Sequence, residues 1–179
     1  SMYLIDGFSA DSYRKYTISS KIGCVAPLTA VTCDTSFEIS PGLTKHVVIF
    51  QSARGIEMFD GNAVTLISGD IQDLFDPSSS DYINVSLIES FYGFYDETKY
   101  EYHWLCATGT STTLNKEMAY DSINKKWFEI DRGTGKNLNC GFGVEDSYGN
   151  KYVYGGINDG YIERLENGTD FDGNSISHT

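Results

Sequence analysis

Residues 116–130 read KEMAYDSINKKWFEI, in which two runs of strand-forming residues flank a polar turn at 122–125. That pattern predicts an antiparallel β-hairpin. The segments before it, SLIESFYGFYD at 86–96 and KYEYHWLCA at 99–107, predict a second hairpin. Together they predict one four-stranded sheet over residues 86–130, with strands near 87–95, 100–107, 116–121 and 126–130.

Two other segments resemble KEMAYDSIN at 116–124, namely GIEMFDGN at 55–62 and GYIERLENG at 160–168. Each contains a short strand, an aromatic residue or a leucine near its end, and then a turn. The equivalent positions are Phe59, Tyr120 and Leu165, which follow one another by 61 and 45 residues. A period of about 40–45 residues is typical of one four-stranded propeller blade. A loop at 69–86 accounts for the longer first interval.

Short strands are predicted in the rest of the chain as well. HVVIFQS at 46–52 is a continuous apolar run, which is typical of a strand buried on both faces. The pair Asp60-Gly61 separates two strand-forming runs and is a strong hairpin signal. The run IGCVAP predicts a strand that Pro27 ends. Further strands are predicted at 28–33, 140–146, 151–156 and 161–166, and one helical turn at 71–75.

These patterns predict an all-β fold of repeated four-stranded antiparallel blades, similar to a β-propeller, in a single domain at 3–176. Ser1 and Met2 resemble a cloning remnant and are left out of that domain. About three blades fit in this length, whereas closed propellers usually need four or more. The ring is then completed by chain outside these residues or by association of copies. A β-sandwich is the alternative fold.

Composition excludes several classes of protein. The net charge of −12 opposes general nucleic-acid binding, because phosphate contacts need clustered lysine and arginine. The acidity favours solubility, or a surface past which DNA slides because like charges repel. No apolar run approaches the length of about 18 residues that a membrane span requires, so no membrane partner is expected.

The sequence lacks the motifs of the common catalytic and cofactor sites. RGTGKN at 132–137 does not have Walker spacing, and GxSxG and HExxH are absent. We therefore predict no catalytic residue, no cofactor and no enzymatic activity. The one metal-like string is DFDGN, in which Asp170, Asp172 and Asn174 alternate as at the start of a Ca²⁺ loop. The closing glutamate of such a loop is missing, so an Asx turn is favoured there.

Aromatic residues and cysteines are interpreted mainly as core. Trp104 and Trp127 are the strongest core candidates. Cysteines form no CxxC pair and are predicted to be buried free thiols, with a Cys24–Cys33 bridge as the alternative in an oxidising compartment. Tyrosines can form an aromatic platform for a sugar, although packing between strands is favoured. The tyrosines concerned are Tyr13, Tyr82, Tyr92, Tyr95, Tyr148 and Tyr161, and the cysteines are Cys24, Cys33, Cys106 and Cys140.

Two segments resemble the kelch repeat. AYDSINKKWFEI at 119–130 is similar to its Tyr-Asp…Trp hairpin, and YVYGGINDG at 152–160 is similar to its double-glycine strand. In kelch blades the glycine pair allows close backbone approach and the tryptophan packs between blades. The glycine pair is not repeated in the other predicted blades.

A broader resemblance runs from about residue 22 to residue 176. The order of motifs is similar to that of β-propeller-containing structural proteins of tailed bacteriophages, from the tail or head-to-tail region. These proteins are usually much longer than 179 residues, so the resemblance implies a fragment. The motifs are IGCVAP (22–27), HVVIF (46–50), GIEMFDGNAVTLIS (55–68), KYEYHWLCA (99–107), YDSINKKWFEI (120–130) and DGYIERLENGTDFDGNSI (159–176).

This resemblance implies a non-catalytic structural component of a virion that acts by protein–protein assembly. Its expected partners are other virion proteins or copies of itself. The alternative is a kelch-like or lectin-like binding module that recognises a protein or a host-surface glycan. A glycosidase, which needs two carboxylates facing one sugar-sized cleft, is the third hypothesis.

Overall fold

The structure is a computed structural model that describes residues 1–40, 43–165, 170–171 and 174–175. It has 47% strand and 10% helix, so the all-β prediction is confirmed. The strands are β1 (Met2–Asp6), β2 (Arg14–Ser19), β3 (Val31–Ser40), β4 (Leu43–Ser52), β5 (Gly55–Phe59), β6 (Val64–Leu66), β7 (Tyr92–Asp96), β8 (Glu101–Cys106), β9 (Lys116–Asp121), β10 (Lys126–Ile130), β11 (Leu138–Glu145), β12 (Lys151–Ile157), β13 (Ile162–Arg164), β14 (Asp170–Phe171) and β15 (Asn174–Ser175). Short 3₁₀ helices lie at Pro27–Thr29, Gly69–Phe75 and Val85–Ser90.

Three antiparallel meanders follow one another along the chain. We call them the first sheet (β3-β4-β5-β6), the second sheet (β7-β8-β9-β10) and the third sheet (β11-β12-β13). The hairpins β1-β2 and β14-β15 pair separately, and none of the described sheets closes into a ring. The second sheet has the four strands predicted for residues 86–130. Its first strand begins later than predicted, because Val85–Ser90 form a 3₁₀ helix in which the Asn84 side chain accepts a hydrogen bond from the Ser86 amide.

The strand predicted at 22–27 is wrong. That segment contains no strand, and Pro27 instead begins a 3₁₀ helix at Pro27–Thr29. Proline without an N–H suits the first position of a helix, where no intrahelical partner is needed. The Val25 amide donates one hydrogen bond to the Gln51 carbonyl, so the segment runs beside the end of β4 without forming a ladder.

The positions that the sequence pattern treats as equivalent lie in equivalent strands. Phe59 and Tyr120 lie on the third strand of the first and second sheets, and Leu165 directly follows the third strand of the third sheet. The aspartates that follow Phe59 and Tyr120 in the chain have the same role in their turns. Asp60 Oδ1 accepts the amides of two residues in its turn, and Asp121 Oδ1 does the same. Residues 166–168 of the third repeat lie outside the described part of the chain.

The second sheet is covered on both faces. On the face toward the first sheet, the Trp104 indole N–H donates to Gln51 Oε1 at 3.0 Å, and the Tyr102 hydroxyl donates to the Thr29 carbonyl at 2.9 Å. Trp127 donates to the Ile67 carbonyl at 2.7 Å. On the other face the Phe94 ring lies against Gly141, where an added Cβ would overlap the ring. A glycine at that position therefore allows β11 to approach β7 closely.

The tryptophans occupy the core to different degrees. Trp104 is fully buried, stacks on Phe75 at 5.4 Å between ring centroids, and meets Phe91 edge-on at 6.1 Å. Trp127 is half-buried and packs against the core beside Tyr120. The prediction that both belong to the core is therefore confirmed for Trp104, whereas Trp127 lies at the core's edge.

Trp104→Ala is expected to destabilise the protein by about 3–5 kcal/mol, because it removes a fully buried ring and leaves a cavity. The free energy of unfolding is measured by urea denaturation followed by circular dichroism. Phe128→Ala is the control, because Phe128 is 40% exposed on the same sheet and its loss is expected to cost only about 1–2 kcal/mol. Similar losses for the two variants would contradict the described packing.

Candidate functional site

The third sheet has one apolar face that no described element covers closely. Strand pairing places Phe142 opposite Tyr154, Val144 opposite Tyr152, and Ile162 beside Gly156. Phe142 and Val144 are each 41% exposed and Ile162 is 67% exposed. We call the surface formed by Phe142, Val144, Tyr152, Tyr154 and Ile162 the aromatic face.

Aromatic rings of the aromatic face contact one another and a neighbouring arginine. Phe142 and Tyr154 stack at 5.9 Å between ring centroids, and the Arg164 guanidinium lies over the Tyr152 ring at 4.1 Å. The opposite face of the same strands carries Gly141 and Gly155 and lies against the second sheet. Because side chains alternate along a strand, β11 has only glycine on its inner face between Gly141 and Val144, while Phe142 and Val144 make its outer face apolar and exposed.

A cavity of about 600 Å³ opens where the first strands of the three meanders meet. β7 lies between β3 and β11, and residues of all three strands and of β12 line the cavity. Tyr92, Tyr95 and Phe142 supply aromatic surface, and Lys151 pairs with Glu97 at its wall. The Tyr95 hydroxyl donates to the Asp34 carbonyl across this junction, which ties β7 to β3.

Charged side chains are buried between the second sheet and the segment that leads into the third. Arg132 donates to both Glu117 oxygens, at 2.6 and 2.8 Å, and both side chains are 6% exposed. His103 Nδ1 lies 2.8 Å from Glu117 Oε1 on the adjacent strand. Its ring also stacks on Phe94 at 4.4 Å between centroids.

The two ionisable groups at the centre of this cluster have shifted pKa values. Burial raises the pKa of Glu117, but hydrogen bonds from Arg132 and His103 outweigh it, so the pKa lies below its usual value. Burial lowers the pKa of His103, but the carboxylates of Glu101 and Glu117 outweigh it, so that pKa is raised. Glu117 is therefore ionised, and its charge is neutralised within the interface.

The charged cluster was not predicted from the sequence, although a signal for it is present. Glu101 and His103 alternate with Tyr102 and Trp104 in a strand whose other residues are apolar, and Glu117 interrupts a similar strand. Charged residues are rarely buried unless they are paired. A search for charges at alternate positions of apolar strands would have identified the residues on β8 and β9, but the partner Arg132 lies in a loop.

The structure does not bring the predicted ligand-binding residues together as one site. Asp172 lies outside the described residues, and so do the side chains of Asp170 and Asn174. The tyrosines proposed as a sugar platform lie on separate elements: Tyr92 and Tyr95 on β7, Tyr148 in the β11–β12 turn, and the others in different loops. In that same turn, Asp146 accepts hydrogen bonds from the amides of Tyr148 and Asn150.

The cysteine prediction is confirmed in part. All four cysteines are free thiols, and Cys33 and Cys106 are buried. Cys24 is exposed, so the prediction that it is buried is wrong, because the strand expected around it does not form. Burial raises the pKa of the Cys33 thiol to about 12 and raises that of Cys106 as well.

Comparison with known proteins adds no relative: no protein-family model matches the chain, and no curated protein matches it either. Within the described residues, no helix has both the length and the apolar character needed to cross a membrane.

Arg132→Ala is expected to destabilise the protein by about 3–5 kcal/mol, because it leaves the buried Glu117 carboxylate without its cation. Lys136→Ala is the matched control, since the Lys136–Glu163 pair at 2.9 Å is partly exposed and is expected to contribute about 0–1 kcal/mol. Urea denaturation of both variants measures the difference. Equal effects would show that the Arg132–Glu117 pair is not shielded from water.

A thiol-alkylating reagent is expected to modify Cys24 in the native protein well before Cys33 and Cys106. The reacting species is the thiolate, and burial disfavours it at the latter two positions. Mass spectrometry of peptides after timed labelling measures the order, with urea-unfolded protein as the control in which all three react alike. Rapid native labelling of Cys106 would contradict its described burial.

Proposed function

We propose that this chain is a non-catalytic structural component of a phage virion, from the tail or head-to-tail region, and that it works by assembly through its sheets. The observation that carries the proposal is the aromatic face, whose Phe142, Val144 and Ile162 remain exposed. Exposed contiguous apolar surface on a folded protein commonly marks a site of protein–protein contact.

Two observations favour a propeller-like arrangement over a sandwich. The second sheet has another sheet on each face, whereas each sheet of a two-layer sandwich buries only one face. The first strands of the three meanders also lie side by side around one cavity, as strands do at the axis of a propeller. In such a stack every blade packs its faces on neighbours.

The same regularity indicates what covers the aromatic face. One face of the first sheet is covered by the second sheet, and the corresponding face of the second is covered by the third. The third sheet would by the same rule be covered by another β-sheet. We propose that a second copy of this chain supplies it, since closed assemblies of identical chains are the commonest route to covering such a surface.

The acidic composition suits the virion role. A net charge of −12 repels the phosphate backbone, so an assembled surface that borders packaged or passing DNA would not retain it. The virion assignment itself depends on the order of motifs between residues 22 and 176. Portal, capsid or tail genes beside the complete reading frame would support it, and a metabolic operon there would count against it.

Phe142→Ser is expected to weaken self-association of the chain by at least about tenfold, because the ring lies at the centre of the aromatic face. Sedimentation velocity over a range of concentrations measures the dissociation constant. Phe128→Ser is the matched control, because Phe128 is 40% exposed against 41% for Phe142 and lies on a different sheet. A wild-type chain that stays monomeric at all concentrations, or equal weakening by both substitutions, would refute assembly through this face.

A glycan-binding module is the second candidate, and the cavity at the first strands is the observation that favours it. Aromatic surface from Tyr92 and Tyr95, with Glu97 nearby, suits a pyranose ring and its hydroxyls. A glycan array would detect such binding, and loss of the signal in Tyr92→Ala but not in Tyr148→Ala would place the sugar in this cavity. Under the assembly proposal the array gives no signal that depends on Tyr92.

A further inference from the structure

Three potential metal ligands lie together on one face of the β7–β8 hairpin. Asp96 pairs with Glu101, and His103 pairs with Phe94 two positions further along, so strand alternation places all three side chains on the same side. One ligand atom from each of Asp96, Glu101 and His103 lies within 4.8 Å of the other two. Within the described residues, this is the group of three His, Cys, Asp or Glu side chains whose ligand atoms lie that close together.

His103 points an unsatisfied nitrogen into this group. The residue is 2% exposed, and its Nε2 has no hydrogen-bond partner. The nearest carboxylate oxygen, Glu101 Oε2, is 3.6 Å away, which is too long for a hydrogen bond. A buried polar atom without a partner is costly, and a bound ion is one way in which proteins satisfy it.

The rest of the imidazole is held as in known metal sites. A metal-binding histidine usually donates its other ring N–H to a carboxylate, which sets the tautomer and orients the ring. Here Nδ1 faces Glu117 at 2.8 Å, and Arg132 holds Glu117 in turn. With the proton on Nδ1, the lone pair of Nε2 is available to a cation bound beside the carboxylates of Asp96 and Glu101.

The other two ligands are placed to complete the site. Asp96 is 1% exposed, and its Oδ1 is held by the amide and hydroxyl of Thr98 at 2.8 and 2.6 Å. Glu101 is 16% exposed, so it leaves a route from solvent. One imidazole and two carboxylates suit first-row divalent cations such as Zn²⁺ and Mn²⁺, whereas Ca²⁺ and Mg²⁺ prefer oxygen ligands alone.

We propose that Asp96, Glu101 and His103 bind one first-row divalent cation, which joins the β7–β8 hairpin to the buried Glu117–Arg132 pair. The cation replaces a missing hydrogen bond at Nε2 and links the turn of the hairpin to the interface between the second sheet and the third. This role is structural and does not depend on assembly through the aromatic face.

Isothermal titration calorimetry of the chelator-treated full chain with Zn²⁺ tests the site, and scanning calorimetry at several Zn²⁺ concentrations gives the melting temperature. We expect saturation at one equivalent and a melting temperature that rises with Zn²⁺ concentration, because an ion that binds the native state stabilises it. Glu101→Gln is expected to weaken binding by at least about tenfold, and Glu117→Gln by about 10–100-fold through loss of ring orientation. Circular dichroism establishes that each variant is folded.

His46→Gln and Glu89→Gln are the matched controls, because both residues are exposed and lie outside the β7–β8 hairpin, on β4 and in the 3₁₀ helix before β7 respectively. They should leave Zn²⁺ affinity unchanged. Titration with Co²⁺ distinguishes this site from binding by Cys24 or Cys140. A nitrogen and oxygen ligand set gives d–d absorption without the charge-transfer band of a cobalt thiolate.

Three results would overturn the proposal: no saturable binding at one equivalent, equal affinity in Glu101→Gln and wild type, or a thiolate band that accounts for all bound Co²⁺. His103 would then be a buried imidazolium that pairs with Glu101 and Glu117. If Glu117→Gln does not fold, the substitution at the partly exposed Glu101 still carries the test.

Discussion

Burial of the second sheet on both faces determines where the other two sheets lie. Its two faces require different features of the sheets that cover them. Toward the first sheet it presents Tyr102 and Trp104, whose polar hydrogens must find acceptors when the rings are buried, and Thr29 and Gln51 provide them. Toward the third sheet it presents Phe94, and only a strand without a side chain at Gly141 can approach that ring.

The Glu117–Arg132–His103 cluster on the second face of this sheet positions the chain segment that follows β10. Burying charges is costly, and a buried pair is weak evidence for stability, because apolar residues of similar volume can often replace it. A two-point contact between a guanidinium and a carboxylate is geometrically specific, however. The cluster therefore fixes the end of β10 and the segment after it relative to β9, which apolar contact alone leaves less defined.

The aromatic face follows from the same alternation that builds the interior. Each strand of a meander has two faces, and an open stack of sheets, unlike a closed ring, ends on a sheet with one face uncovered. In the third sheet Gly141 and Gly143 leave the middle of β11 without inward side chains, so Phe142 and Val144 project outward, while Leu138, Val153 and Ile157 fill the inner face. A molecule of this design is suited to addition of another sheet, which is the basis of the assembly proposal and does not involve the charged cluster.

The sequence alone determined most of the local structure. Strand-forming runs, the Asp-Gly and Asp-Ser turns and the third-strand positions of Phe59 and Tyr120 were all predictable, because hairpins are set by neighbours in the chain. Only the tertiary structure decided which faces meet, that IGCVAP does not become a strand, and that Arg132 reaches Glu117. These outcomes depend on contacts between residues far apart in sequence or on competition between a local strand and a docked loop. No periodicity within a single segment records such contacts.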